Sequence, residues 1–114
     1  MIKAIDLFSG GGGVSIGLTH AGFKLSCALE IDDAAVKAYK GYHLLKDVNV
    51  IQDDICNVSG ETLLKTAGID GNELYLLAGC PPCQKFSMQN RIHNLDEGKI
   101  DEVKKLLMQF KRII

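Results

Sequence analysis

The sequence predicts an α/β fold built on a parallel sheet, and three observations carry that expectation. Short apolar runs alternate with amphipathic stretches in a strand, helix, strand rhythm over residues 2–78. Four glycines, residues 10–13, follow the first apolar run almost at once. Acidic residues, Glu30 and Asp54, stand at the ends of the next two runs. Open parallel sheets bind ligands beyond the carboxyl ends of their strands, which is where these residues fall.

The elements follow in order. Residues 2–7 form a first strand, and the glycine block opens a helix over residues 14–20 that Gly22 closes. A second strand covers residues 23–29 and ends at Glu30. Asp32 or Asp33 then caps a helix over residues 34–42, because a short carboxylate accepts from the free amides of a first helical turn. Residues 48–51 make a third strand, followed by the acidic turn Asp53-Asp54. Ser59 caps a helix ending near Ala67, and the turn at residues 68–72 returns the chain to a fourth strand at residues 73–78. Each strand is reached over a helix, so the sheet is parallel with right-handed crossovers. Residues 86–98 are polar without a period and read as a long loop. Residues 100–114 carry Val103, Leu106, Leu107, Phe110, Ile113 and Ile114 at helical spacing.

Composition bounds the function classes. With 46% hydrophobic and 24% charged residues and a formal charge of -1, the chain is neither disordered in general character nor marked by bulk charge for a polyanionic partner. The charge is uneven: residues 1–84 hold 6 basic against 10 acidic side chains, and residues 85–114 hold 7 against 4. No apolar window approaches the roughly 18 residues of a membrane span, and the N-terminus lacks a signal-peptide layout. A cytoplasmic location is expected, with no membrane partner. Four cysteines at irregular spacing do not make a secreted disulfide scaffold, so reduced thiols are expected.

The stretch DLFSGGGG, residues 6–13, brings a strand end, a glycine cluster and a helix start together. Glycines allow positive φ and let backbone amides approach a ligand at a helix N-terminus. The dinucleotide fingerprint G-x-G-x-x-G fails, because its third glycine is Ser15 when counted from Gly10 and Ile16 when counted from Gly11. The P-loop pattern fails as well, since no Gly-Lys-Ser/Thr follows. Glu30 lies 20 residues after Gly10, where a carboxylate can accept from ribose hydroxyls. Asp54 either reads an adenine amino group or closes an Asx turn into Ile55.

The stretch LLAGCPPCQKFS, residues 76–87, holds two cysteines around two prolines. A thioredoxin-like dithiol site also needs a proline facing the pair from a later loop, and this chain's only prolines are Pro81 and Pro82. A zinc site needs two further ligands, but Cys27, Cys56, His20, His43 and His93 occur singly, and no metal is expected. Cys80, at the strand's exit, is expected to be buried as a small hydrophobe. Cys83 sits further out on a loop stiffened by the prolines, which suits covalent catalysis beside a nucleoside pocket.

Taken in order, DLFSGGGG, Glu30, the DDI of residues 53–55 and GCPPCQKFS resemble the early motifs of the DNA (cytosine-5)-methyltransferases. The resemblance runs from Asp6 to Ile114, and Pro-Pro-Cys-Gln with Phe-Ser two residues later is its most specific part. It implies a Rossmann-like S-adenosylmethionine-dependent methyltransferase fold, an α/β fold whose parallel sheet is incomplete in this chain and flanked by helices. S-adenosyl-L-methionine is the implied cofactor. Phe8, Ser9, Gly10, Gly12, Gly13, Glu30, Ile31, Asp54 and Ile55 would hold it: Phe8 by packing, the glycine amides near its methionine portion, Glu30 on the ribose, Ile31 on the adenine face, and Asp54 with the Ile55 backbone at the adenine edge.

By the same resemblance Cys83 is the nucleophile, presented by Pro82, and Gln84, with Ser87 and Arg91 of a mobile loop spanning residues 85–99, meets the substrate. The implied partner is double-stranded DNA with a flipped cytosine, which in a bacterium places the protein at the nucleoid. Two positions depart from the family pattern: Cys80 stands where glycine is usual, and Lys85 where a small residue is usual. The later motifs, including a Glu-Asn-Val block and the target-recognition region, do not occur within residues 1–114. The chain is therefore expected to be the N-terminal portion of a catalytic domain, truncated or split and inactive alone, with a complementing C-terminal polypeptide as the partner of a split form. Alternatives are an S-adenosylmethionine-binding regulatory remnant and, less favoured, a dithiol oxidoreductase.

Overall fold

Four parallel strands in the order β3-β2-β1-β4 form the sheet of the computed structural model, which describes residues 1–80. The strands are β1 (Lys3–Leu7), β2 (Lys24–Glu30), β3 (Asn49–Gln52) and β4 (Tyr75–Gly79), and the helices between them are α1 (Gly13–His20), α2 (Asp33–Gly41) and α3 (Gly60–Ala67). Short 3-10 turns at His43–Leu45 and Ile55–Asn57 interrupt the connections. The expected final helix, the loop of residues 85–99 and the sites at Pro82, Cys83, Gln84, Ser87 and Arg91 lie outside the described residues.

The order of elements matches the expected rhythm, and local chemistry explains the ends. Asp32 caps α2 by accepting from the Ala35 amide at 2.9 Å, and Ser59 caps α3 by accepting from the Thr62 amide at 3.1 Å. Both α1 and α3 stop on a left-handed glycine, Gly22 at φ 98 and Gly68 at φ 67. In each case the next amide reaches back into the helix, Phe23 to the Leu18 carbonyl at 3.0 Å and Ile69 to the Leu64 carbonyl at 2.9 Å.

All four strands start later than the sequence expectation, by one residue for β1, β2 and β3 and by two for β4, and local turns account for β2 and β4. Phe23 is spent on closing α1, so β2 begins at Lys24. Glu73 closes a turn by donating its amide to the Asp70 carbonyl at 2.9 Å and pairs with Lys3 at 3.3 Å, so β4 begins only at Tyr75.

Alternation along the strands sends successive side chains to opposite faces. Ile5, Leu7, Cys27 and Leu29 meet Leu63 and Ala67 of α3, together with Ile55, Val58 and Ile69, in one apolar cluster. On the other face Ala28 packs with Tyr39 of α2 and with Leu45. The helices thus cover both faces. The chain winds outward from β1 through β2 to β3, then crosses to β4 on the other side of β1. This reversal is the topological switch point at which open α/β sheets carry their ligand crevice. Among the described residues no helix is long and apolar enough to cross a membrane.

Candidate active site at the carboxyl edge of the sheet

The exits of β3, β2, β1 and β4 line up along one edge of the sheet, in the spatial order of Asp53-Asp54, Glu30, the glycine turn and Cys80. Leu7 pairs with Gly79 in the last register position of β1 and β4, so Cys80 lies one residue beyond the exit of the strand. It is exposed there. That corrects the expectation of a buried small hydrophobe: the residue has passed the end of the sheet, where none of the described helices covers it.

The glycine turn is held in a strained shape. Phe8 has φ 55, in the left-handed region that a β-carbon disfavours by about 1–2 kcal/mol. Its side chain is half-buried against the cluster beneath α3. Gly10 at φ 55 and Gly12 at φ 105 continue the turn. A β-carbon on Gly12 would lie 2.5 Å from Leu45 Cδ1 and 3.1 Å from Tyr39 Cδ2, so glycine is required there by space as well as by conformation. Among the described residues a β-carbon on Gly10, Gly11 or Gly13 would meet nothing within 4 Å, which leaves room beside the turn. The Ser9 amide donates to the Leu29 carbonyl at 3.1 Å, and the Ser9 carbonyl accepts from Gly12 at 3.1 Å. The Ser9 hydroxyl is buried without a hydrogen-bond partner among the described residues.

Glu30 joins the turn to the second strand. Its Oε1 accepts from the Gly10 amide at 2.8 Å, and its Oε2 accepts from the amides of Ile31 at 3.0 Å and Asp32 at 2.9 Å. A carboxylate has about four acceptor directions, so these three leave one toward a ligand. The neighbouring Ile31 side chain is 60% exposed, an apolar surface beside a polar anchor. The Asp53 amide donates to the Glu30 carbonyl at 3.2 Å, which draws the exit of β3 into the same cluster.

Asp54 accepts from the Cys56 amide at 2.9 Å and caps the turn at Ile55–Asn57, the Asx geometry weighed from sequence. Asp53 in turn accepts from the Asp54 amide at 2.7 Å and from the Asn57 side chain at 3.0 Å. The Ile55 side chain is 4% exposed and belongs to the core, so what it can offer a ligand is its backbone.

A buried polar chain behind the turn was not singled out from sequence. The Tyr39 hydroxyl donates to Ser15 Oγ at 2.8 Å, and Ser15 Oγ donates to Asp6 Oδ2 at 2.6 Å. All three side chains are almost wholly buried. Burial raises the Asp6 carboxyl above its ordinary range and the Glu30 charge pushes the same way, while hydrogen bonds from Ser15 oppose the rise. Burial likewise pushes the Tyr39 hydroxyl up to about 12, against its bond with Ser15, so it stays a donor through the neutral range. A signal was present: Ser15 is the residue that breaks the G-x-G-x-x-G fingerprint. The third glycine of that fingerprint lets helix and strand pack closely, and here a small side chain does so while bonding to the strand.

A family model for C-5 cytosine-specific DNA methylases matches residues 2–114. The type II methyltransferase M.AquIA of Picosynechococcus sp. is 32% identical over 98% of this chain and 43% of its own length. The type II methyltransferase M.FnuDI of Fusobacterium nucleatum is 31% identical over 99% of this chain and 28% of its own. Among solved structures, an E. coli prophage-encoded protein described as a DNA modification methyltransferase superposes with a TM-score of 0.73 at 30% identity, covering 99% of this chain and 28% of that one. The Dnmt2 methyltransferase of S. pombe shares the fold with a TM-score of 0.56 at 21% identity, over 81% of this chain and 27% of its own.

The chain therefore spans less than half the length of the curated relatives named, and its four parallel strands represent the Rossmann-like fold of S-adenosylmethionine-dependent methyltransferases. With the family match running over residues 2–114, the chain belongs to the C-5 cytosine-specific DNA methylases, the DNA (cytosine-5)-methyltransferases.

Proposed function

We propose that this chain is the cofactor-binding and nucleophile-bearing N-terminal portion of a DNA cytosine-5 methyltransferase. The observation that carries this reading is the Gly10 amide bond to Glu30 Oε1, which brings the strained turn after β1 and the acid after β2 together at the switch point of the sheet. The residues present fit S-adenosylmethionine. There is open space beside Gly10, Gly11 and Gly13, the Ser9 hydroxyl is buried without a partner among the described residues, and an acceptor and an exposed apolar side chain adjoin one another at Glu30 and Ile31.

Bound there, S-adenosylmethionine supplies an electrophilic sulfonium methyl group. Glu30 accepts one ribose hydroxyl outright and a second by sharing Oε2 with the Ile31 and Asp32 amides. Ile31 covers an adenine face, the Ile55 backbone and Asp54 meet its edge, and the glycine amides, Ser9 and Phe8 line the methionine side.

Cys83, presented by Pro82, is the nucleophile. Its thiolate adds to carbon 6 of cytosine, forming a carbon–sulfur bond while ring nitrogen 3 takes a proton, and the electron pair moves toward carbon 5. After carbon 5 has been methylated, loss of its proton restores the ring double bond and expels the thiolate. A free cysteine has a pKa of about 8.5, so the site must favour the thiolate. The cytosine is unreachable inside a duplex and is flipped out at a cost of about a few kcal/mol, which contacts to double-stranded DNA supply. Gln84, Ser87 and Arg91 are assigned to those contacts. The acid that protonates ring nitrogen 3 and the target-recognition contacts are assigned to the remainder of the catalytic domain, beyond the 28–43% of the relatives' length that this chain spans, so residues 1–114 on their own are expected to turn over DNA negligibly. The setting is the cytoplasm, at the nucleoid in a bacterium.

Titration calorimetry with S-adenosylmethionine tests the cofactor site. Glu30→Ala removes a charged acceptor, and a loss of affinity of about tenfold or more is expected. Unchanged affinity would sink the assignment. A duplex carrying 5-fluorocytosine, with the complementing half added, tests the nucleophile: a covalent adduct that disappears in Cys83→Ser is expected. Absence of any adduct from the complemented wild type would leave a cofactor-binding remnant instead.

A further inference from the structure

The glycine turn is gripped from two sides by one stretch of chain. At its near end the Gly10 amide is bound by Glu30, the last residue of β2. At its far end Gly12 sits against the ring of Tyr39 and Leu45, so closely that a β-carbon would collide with Leu45 and press tightly on the Tyr39 ring. The Tyr39 hydroxyl also reaches Ser15, in the first turn of α1, and Ser15 is bonded in turn to Asp6 in β1. One buried side chain of α2 therefore touches the turn with its ring and anchors the helix that follows with its hydroxyl. The polar chain runs in one direction: the Tyr39 hydroxyl donates to Ser15, and Ser15 spends its own proton on Asp6.

We infer that Tyr39, acting through Ser15 and Asp6, is a positioning residue that fixes the shape of the glycine turn opposite Glu30, so that α2 presets the cradle for the cofactor. This inference rests on the reading of the turn as that cradle. Fully satisfied buried polar chains rigidify what they connect, while a broken one leaves a desolvated group unpaired. The turn contains left-handed Phe8 as well as two left-handed glycines, and such a shape persists only where its surroundings over-determine it.

Amide hydrogen exchange on the ligand-free 114-residue chain separates this role from general stability, and S-adenosylmethionine affinity is measured in parallel. In Tyr39→Phe the ring remains and the hydroxyl is lost. The Gly12 and Ile16 amides, which close the turn and start α1, are expected to exchange about tenfold faster, the size of one buried hydrogen bond, while the Leu63 amide of α3 is unchanged. Affinity is expected to fall by a similar factor. Ser15→Ala, which leaves Tyr39 intact, should do the same, and the double variant should be no worse than the stronger single one. Unchanged exchange at the turn, or equal acceleration in α3, would overturn the inference. A wild-type chain that fails to bind S-adenosylmethionine would instead defeat the cofactor reading, and the exchange contrast would still decide whether Tyr39 positions the turn.

Discussion

The two faces of the sheet are built on different principles. Beneath α3 an apolar cluster runs from Ile5, Leu7, Cys27 and Leu29 to Leu63, Ala67 and Ile69. Cys27 fits that setting, since burial pushes its thiol up to about 11 and leaves it a small inert hydrophobe. Beneath α1 and α2 the sheet presents Asp6, and the core is completed by a hydroxyl chain running to Tyr39. Apolar burial is non-directional and tolerates small shifts, whereas a hydrogen-bonded chain fixes one geometry. The first face holds the fold together, and the second shapes the edge proposed for the cofactor.

Leu63→Ala strikes the apolar face and should have the largest effect, a loss of about 2–5 kcal/mol in chemical denaturation with the exchange contrast between turn and α3 retained. Gly12→Ala strikes the polar face. Its β-carbon meets Leu45 and Tyr39 in a backbone conformation with φ 105, which predicts a loss of about 1–3 kcal/mol and a disproportionate loss of S-adenosylmethionine affinity in calorimetry. A variant weakened in stability alone would erase the distinction between the faces.

Asp6→Asn tests the charge within the polar face. The folded chain raises the Asp6 carboxyl above its unfolded value, so the fold holds that proton more tightly than the unfolded chain does. The stabilisation is complete below the ordinary carboxylate range and is lost as pH rises through the folded value. The groups facing Asp6 are Ser15 and the charge of Glu30, with Tyr39 behind Ser15. Thermal melts followed from below the ordinary carboxylate range up to neutral pH should therefore favour wild type over Asp6→Asn more strongly at the acid end. The smallest effect belongs to neither face: Lys37→Ala breaks an exposed pair with Asp33 at 3.1 Å and should change stability by at most about 0.5 kcal/mol.

How much was legible in the sequence depended on the range of the interaction concerned. Asp32 and Ser59 could be read as caps because each acts within three residues. Glu30 could be paired with the glycine block because strand, turn and helix impose a near-fixed spacing in such folds. The 3-10 turns at His43–Leu45 and Ile55–Asn57 were missed, since three residues carry no period. Tyr39 looked like any residue in the middle of a helix.

The sequence by itself determined the succession of strands and helices, the places where they stop, and the chemical types brought to the strand ends, because each depends on local conformational preference and short-range capping. Only the tertiary structure decided the order β3-β2-β1-β4, which sets the exits of β1 and β4 side by side, and the joining of Asp6, Ser15 and Tyr39 across separations of 9 and 24 residues. Those outcomes depend on which faces pack together, a choice made by burial over the whole sheet that no local pattern records.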